Sequence, residues 1–410
     1  MKQTIQNIPV AGKRVLVRVD YNVPLDESGK ISDDARIRET IPTLQLLLDA
    51  GAALILMAHF GRPKGQIVDA MRLTPVSRKL QELLGRDIQT ASDLVGLEAT
   101  AMVKAIGAGQ VLLLENTRFE AGEEANDPIL SEKLAAFGDV FVNDAFGAAH
   151  RAHASTEGVA RVMRAQGKPC VAGLLMAREL EFLGQLLQNP PRPFVAILGG
   201  VKVSDKIGVI RNLEKVADEI LIGGAMSYAF EKAQGREVGT SYFKSEDTPI
   251  AAELLQLFKN NEAVLPAQDV CRLHLAKDFL VADKDAEDAQ IEYVEAGQIP
   301  ADKMGMDIGP QTIAEYCAII ENAKTVLWNG PMGRFEVTPF CKGTLEVARA
   351  MGRATEKGAT TIVGGGDSAA AIKQMGLSDR VSHVSTGGGA SLEFLEGQQL
   401  PGVAVLDDAV

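Results

Sequence analysis

Thr360-Thr361-Ile362-Val363-Gly364-Gly365-Gly366-Asp367-Ser368 reads as a short apolar strand that stops at glycines and opens directly into a helix. The run has no polar alternation, as expected of a parallel strand covered on both faces. The same pattern recurs at Phe194–Leu198 before Gly199-Gly200, at Glu219–Ile222 before Gly223-Gly224, and at Thr325–Leu327 before Asn329-Gly330-Pro331-Met332-Gly333. His383-Val384 precedes Ser385-Thr386-Gly387-Gly388-Gly389. Such strands, separated by helix-length amphipathic stretches, predict doubly wound α/β sheets with ligands at the carboxyl ends of the strands.

Towards the N-terminus the rhythm continues, but the strands stop at different residues. Arg14–Val19 leads into Asp20-Tyr21-Asn22, Ala53–Ala58 into His59-Phe60-Gly61-Arg62, and Val111–Glu115 into Asn116-Thr117-Arg118. Val140–Val142 precedes Asn143-Asp144 and then His150-Arg151-Ala152-His153. Helical stretches are expected near Ala35–Asp49, Val76–Leu84 and Ile129–Phe137. Guanidinium and imidazole groups hold a compact anion from the side, whereas bare glycine amides admit a polyphosphate closely. One half therefore suits a small anionic substrate and the other a nucleotide.

Composition bounds this reading. With 410 residues, 46% hydrophobic and 23% charged, the chain is expected to be globular with two domains. No apolar run reaches about 18 residues, so no membrane span is expected. The first residues lack a signal-peptide pattern, and the four cysteines are scattered without a Cys-x-x-Cys pair. Both features predict a cytoplasmic protein with neither a disulfide framework nor a zinc site. A net charge of −12 argues against a nucleic-acid partner. It does not exclude anionic ligands, because screening leaves a local arginine cluster to set the sign within a cleft.

A boundary is expected after Gly167-Lys168-Pro169. There an apolar stretch, Leu174–Leu187, carries apolar residues on more than one face, and Asn189-Pro190-Pro191-Arg192-Pro193 ends it. A surface helix followed by a loop is the alternative.

Several residues are candidates for chemistry. Arg36 and Arg38 follow Ser32-Asp33-Asp34, a candidate N-cap, and a cation in a first helical turn opposes the macrodipole. An anion held there would explain Arg36; a solvated surface arginine is the alternative. Three of the five histidines lie in the two segments at His59 and His150–His153, although an imidazole can equally satisfy a buried carbonyl. Lys202 and Lys206 flank Ser204, a candidate helix cap, and suggest phosphate contacts or else a surface pair. Asp367 beside the glycine amides suits Mg²⁺, which keeps waters and phosphate oxygens as its other ligands. A capping role for Asp367 or Ser368 is the bland alternative.

Rival nucleotide enzymes are disfavoured. The chain has no G-x-x-x-x-G-K-[ST]. Gly364-x-Gly366-x-x-Ala369 imitates a dinucleotide fingerprint, but the next strand ends in Val384-Ser385-Thr386 instead of the ribose-binding acid. A non-catalytic anion-binding protein would not need Lys202 and Asp367 in the glycine half.

Together, these segments resemble the phosphoglycerate kinase family. They include Arg18–Pro24, Ala58–Pro63, Leu114–Phe119, Asn143–Gly147, His150–Ser155, Leu198–Lys206, Trp328–Pro331, Gly364–Ser368 and Ser385–Ser391. They are collinear over essentially the whole chain. The resemblance implies reversible transfer of a phosphoryl group from 1,3-bisphosphoglycerate to ADP, giving ATP and 3-phosphoglycerate with Mg²⁺, by a monomer whose domains close on a hinge. Ser385-Thr386 and the Leu174–Leu187 helix are candidate hinge elements.

By resemblance, Asp20, Asn22, Arg36, His59, Arg62, Arg118 and Arg151 would bind 3-phosphoglycerate. Gly200, Lys206, Gly223, Gly224, Asn329, Pro331, Gly333, Glu336, Gly364, Gly365, Gly366, Asp367 and Ser368 would hold the nucleotide, with Asp367 on the metal. Arg36, Lys202, Gly365 and Gly388 would serve the phosphoryl group in flight. The implied domains are 1–172 with about 391–410 for the substrate, about 173–189 as linker, and 190–390 for the nucleotide. The family's returning C-terminus would put a strand-like Val403–Leu406 in the first domain. Four positions depart from the family: Arg334, expected to face solvent or reach a phosphate, Tyr242 near the base, and Phe60 and Val201, which are expected to change packing only.

Overall fold

The strand Arg14–Val19 (β1) is buried after its first residue and carries the first sheet. Beside it lie Ala53–Met57 (β2), Ile88–Thr90 (β3), Val111–Leu113 (β4), Val140–Asp144 (β5) and Cys170–Ala172 (β6). All pairs are parallel, in the order β3-β4-β2-β1-β5-β6. The winding reverses at β1, and the register sets Arg18 level with both Met57 and Asn143. The residues just past these positions therefore emerge at one edge, where ligands of such sheets bind.

The computed structural model describes residues 1–409. The chain divides into two units, Met1–Glu181 with Gln399–Val410, and Phe182–Gln398, and passes from one to the other within the helix Leu174–Gln188.

In the second unit the strands are Phe194–Leu198 (β7), Glu219–Ile222 (β8), Glu237–Val238 (β9), Arg272–His274 (β10), Asp278–Ala282 (β11) and Ile291–Glu295 (β12). They continue with Gln298–Ile299 (β13), Met304–Ile308 (β14), Thr325–Asn329 (β15), Thr360–Gly364 (β16) and His383–Val384 (β17). Six form a parallel sheet, β10-β8-β7-β15-β16-β17, whose reversal lies between β7 and β15. Asn329 pairs with Leu198 on one side and Gly364 on the other. Gly199, Gly330 and Gly365 thus leave the sheet side by side. Trp328, fully buried, anchors the core beneath them.

The sequence reading of strands and helices alternating almost throughout omits one feature: β12-β11-β14 form a small antiparallel sheet, and β9 pairs with β13. Ile291–Glu295 is largely exposed, so the long apolar run that signals a parallel strand is absent there. The expected strand at Val403–Leu406 is also corrected. Pro401–Ala404 is a short helix, with proline at its start and the Gly402 N–H donating to the Ala149 carbonyl at 2.8 Å. Ser204 does not cap a helix. The Asp247 carboxylate takes the Val203 and Ser204 amides, and the helix Ile207–Leu213 begins only after Lys206. Among the described residues no helix is long and apolar enough to cross a membrane.

Candidate active site

In the first unit the site is built from three strand ends. After β1, the Asp20 carboxylate is buried and accepts from the Arg36 guanidinium at 2.7 Å. Burial alone would raise the Asp20 pKa, but Arg36, then His59 and Arg18, pull it below the ordinary carboxylate value. Arg36 in its helical first turn is thus oriented by an acid from the neighbouring strand end. After β2, the turn His59-Phe60-Gly61-Arg62 passes through Gly61 in the left-handed region. The Asn22 side chain accepts from the Gly61 amide at 2.9 Å, and Arg118 donates to the Gly61 carbonyl at 2.8 Å. Asn116 braces the same turn by pairing with both the N–H and the carbonyl of Phe60.

Arg118 is buried, which lowers its pKa, and the nearby Arg151 and Arg62 lower it further while Glu124 opposes them. Arg62 and Arg151 are exposed. One edge of the sheet therefore gathers Asp20, Asn22, Arg36, His59, Arg62, Arg118 and Arg151. Burial, together with Arg18, Arg118 and Arg36, pushes the His59 pKa well below 6.5 against the pull of Asp20, so the ring is neutral at pH 7. Burial, aided by Arg18 and Arg118, lowers His153 to about 4.

In the second unit, two clefts share Gly200, Val201 and Asp367. One, of 400 Å³, is lined by Lys202, Lys206, Asn329, Gly330, Gly365, Gly366, Ser368 and Gly388. Gly365 and Gly388 have positive φ and immediately precede the helices Gly366–Gln374 and Gly389–Leu395, so free amides face the cleft. The Lys206 ammonium donates to Asn329 Oδ1, while Asn329 Nδ2 is buried without a partner. The Gly330 peptide is held from both ends. Its N–H donates to Ser368 Oγ at 2.5 Å and its carbonyl accepts from Trp328 Nε1 at 2.7 Å. Ser368, wholly buried, therefore shapes the cleft through Gly330. At Gly199 any Cβ would collide with the carbonyl oxygens of Gly330 and Pro331, which explains glycine there.

The other cleft, of 590 Å³, is lined by Gly224, Tyr228, Tyr242, Met306, Pro331, Gly333 and Glu336. Its walls are largely apolar side chains, as a base requires. Gly223 and Gly364 are buried and line neither cleft. Arg334 is exposed, as the sequence reading expects, and lines the rim of this cleft, where it pairs with Asp285 and Glu336, each at 3.2 Å. Tyr242 is exposed on the rim.

The sequence reading missed the groups that act from beneath. Asp307, the penultimate residue of β14, accepts the Gly343 and Ile308 amides at 2.6 and 2.9 Å, directly behind Gly333. Glu123 and Ser155 lie under the arginine edge, fully buried. An acid at an apolar strand end could have flagged Asp307; nothing local distinguishes Glu123.

The donor chemistry around Asp367 fits a divalent cation carried by a polyphosphate. One exposed carboxylate stands beside glycine amides, and among the described residues no group of three or more His, Cys, Asp or Glu could cage a metal alone.

Comparison with known proteins agrees with this geometry. The phosphoglycerate kinase family profile matches residues 5–398. Phosphoglycerate kinase of Chloroflexus aurantiacus is 52% identical over 410 residues, covering 100% of this chain and 99% of that protein. That of Chlorobium luteolum is 51% identical over 406 residues, with 99% of each covered. The Coxiella burnetii phosphoglycerate kinase structure superposes with TM-score 0.86 at 37% identity, covering 99% of this chain and 98% of that one. The Pyrococcus horikoshii enzyme gives 0.82 at 31% identity, with 98% of each chain covered. Matched from end to end in sequence and fold, the chain belongs to the phosphoglycerate kinase family, whose reaction is reversible phosphoryl transfer between 1,3-bisphosphoglycerate and ADP.

Proposed function

We propose that the two residue sets divide this reaction between them. Asp20, Asn22, Arg36, His59, Arg62, Arg118 and Arg151 hold 3-phosphoglycerate. Gly200, Lys206, Gly223, Gly224, Asn329, Pro331, Gly333, Glu336, Gly364, Gly365, Gly366 and Ser368 form the nucleotide site. The observation that carries this is Asn329 Nδ2, a buried donor without a protein acceptor beside Lys206 and two glycine-led helix starts. A buried unpaired donor costs about 1–3 kcal/mol unless a ligand satisfies it, and phosphate oxygens are the matching acceptors.

The chemistry needs no general base. A carboxylate with pKa near 4 and a diphosphate oxygen are both anionic at pH 7. The obstacle is repulsion between polyanions that must meet in line, and phosphoryl transfer is catalysed mainly by positioning and fixed charge. Arg36 and Lys202 supply cations to the group in flight, and the amides after Gly365 and Gly388 supply donors. Asp367 would hold Mg²⁺, which when bound neutralises phosphate charge. His59, neutral at pH 7, orients substrate and does not relay protons. Because donor and acceptor bind different units, productive transfer requires hinge closure. Compaction in small-angle scattering with both substrates bound is expected, and its absence would refute closure.

The four free cysteines support a reducing, cytoplasmic setting, and the protein acts as a monomer on small molecules. Size-exclusion chromatography with light scattering tests the last point. The decisive assay is ATP formation from ADP and enzymatically generated 1,3-bisphosphoglycerate, with and without Mg²⁺. Mg²⁺-dependent ATP is expected; no ATP in either arm overturns the reading.

A further inference from the structure

Beneath the arginine edge runs a buried chain of polar groups in which every proton has only one place to be. Glu123 has no exposed surface, and its carboxylate accepts from the Ser155 amide at 2.9 Å and from Ser155 Oγ at 2.5 Å. A carboxylate can only accept, so the Ser155 hydroxyl must give it the proton. The Ser155 oxygen is then an acceptor, and Arg18 Nε reaches it at 2.9 Å. Arg18 is almost wholly buried, and its Nη1 is tied to the Val19 carbonyl. Its remaining nitrogen, Nη2, lies 3.0 Å from His59 Nδ1. A guanidinium can only donate, so His59 Nδ1 must be bare.

We propose that Glu123, Ser155 and Arg18 are positioning residues that lock His59 as the neutral tautomer with its proton on Nε2, leaving that N–H as the ring's donor to the substrate anion. This rests on the assignment of His59 to the 3-phosphoglycerate site. Geometry and charge agree. The groups acting on the ring are Arg18, Arg118 and Arg36, opposed by Asp20, and with burial they disfavour imidazolium. A freely rotating imidazole could instead turn a lone pair towards an anion, so a fixed tautomer converts a neutral ring into an anion ligand.

The test is ¹⁵N-detected imidazole spectroscopy of the full chain at pH 7, with Michaelis constants for both substrates. In the parent, His59 Nδ1 should resonate as a pyridine-type nitrogen and Nε2 as a pyrrole-type one. A protonated Nδ1, in either tautomer or imidazolium form, overturns the proposal without any variant. Ser155→Ala should mix the tautomers and raise the KM for 3-phosphoglycerate about tenfold, the worth of one buried hydrogen bond, leaving the ATP KM unchanged. Ser155→Thr, which keeps the hydroxyl, should restore the single tautomer. Ser155→Ala with one unchanged tautomer removes Ser155 and Glu123 from the chain of control. If the tautomers mix but the 3-phosphoglycerate KM does not move, the lock stands and the placement of His59 in the substrate site falls.

Discussion

The Lys206 ammonium bonds to Asn329 Oδ1 and leaves Asn329 Nδ2 buried without an acceptor. The pair thus spends its one acceptor internally and keeps its donors for an incoming anion. Burial lowers the Lys206 pKa to about 8, while Asp367, Asp205 and Glu396 pull the other way.

A phosphate at this site favours charged Lys206. Nucleotide affinity should therefore fall as pH rises through about 8, and binding near that pH should take up protons. Calorimetry of ADP binding in two buffers of different ionisation heat would detect this. Equal heats, or heats unaltered by Lys206→Met, would contradict it.

Lys202 is paired only loosely, with Asp205 at 3.7 Å, so its charge is available to a ligand. Lys202→Ala should reduce turnover on the order of 10²–10³-fold, as removal of one preorganised charge donor does. A variant within a few-fold of the parent enzyme would remove Lys202 from the mechanism.

Arg62 is exposed at the edge of the turn that Asn22 and Arg118 hold in place. Arg62→Ala should weaken 3-phosphoglycerate binding by about 1.5–3 kcal/mol, the value of a hydrogen bond to a charged group, with no change in ADP affinity. Titration calorimetry with each ligand separates the two effects.

Burial raises Asp307 to about 7, above its ordinary 3.8, despite the amides of Gly343 and Ile308. The native state thus holds this proton more tightly than the unfolded chain. The contribution is fully present below pH about 4 and is lost as pH rises through about 7. Asp307→Asn offers one acceptor where two amides need one each, so it should cost about 1–3 kcal/mol. The gap in Tm between parent and variant should narrow from pH 5 to pH 8 (roughly the range over which the carboxyl titrates). A widening gap would reverse the assigned sign.

Arg334 bridges Asp285 and Glu336 with about half its side chain exposed. Exposed ion pairs contribute about 0–1 kcal/mol, so Arg334→Leu should alter the nucleotide KM less than about fivefold. A larger loss would mean that Arg334 itself contacts the nucleotide.

Much of this was legible in the chain because it is written in contiguous residues. Thr360–Ser368 carries its own strand, turn and helix start, and Gly365 is where the left-handed turn falls. The arginines and histidines at the first sheet's ends were readable in the same way. Less legible were residues with exposed or mixed patterns. Ile291–Glu295 pairs antiparallel at the surface, where the apolar signal fades, and Val403–Leu406 looked apolar enough for a strand although Pro401 starts a helix.

The sequence by itself determined the parallel α/β architecture, the two chemistries of the strand ends and the family, because short-range pattern and turn geometry need no partner. Tertiary structure alone decided which polar groups lose water and which partner they find. Arg18 reaches His59 across 41 residues and Ser155 across 137, and Lys206 reaches Asn329 across 123. Desolvation and hydrogen-bond direction depend on everything packed around a group, and so Glu123, Ser155 and Asp307 became visible only in the folded chain.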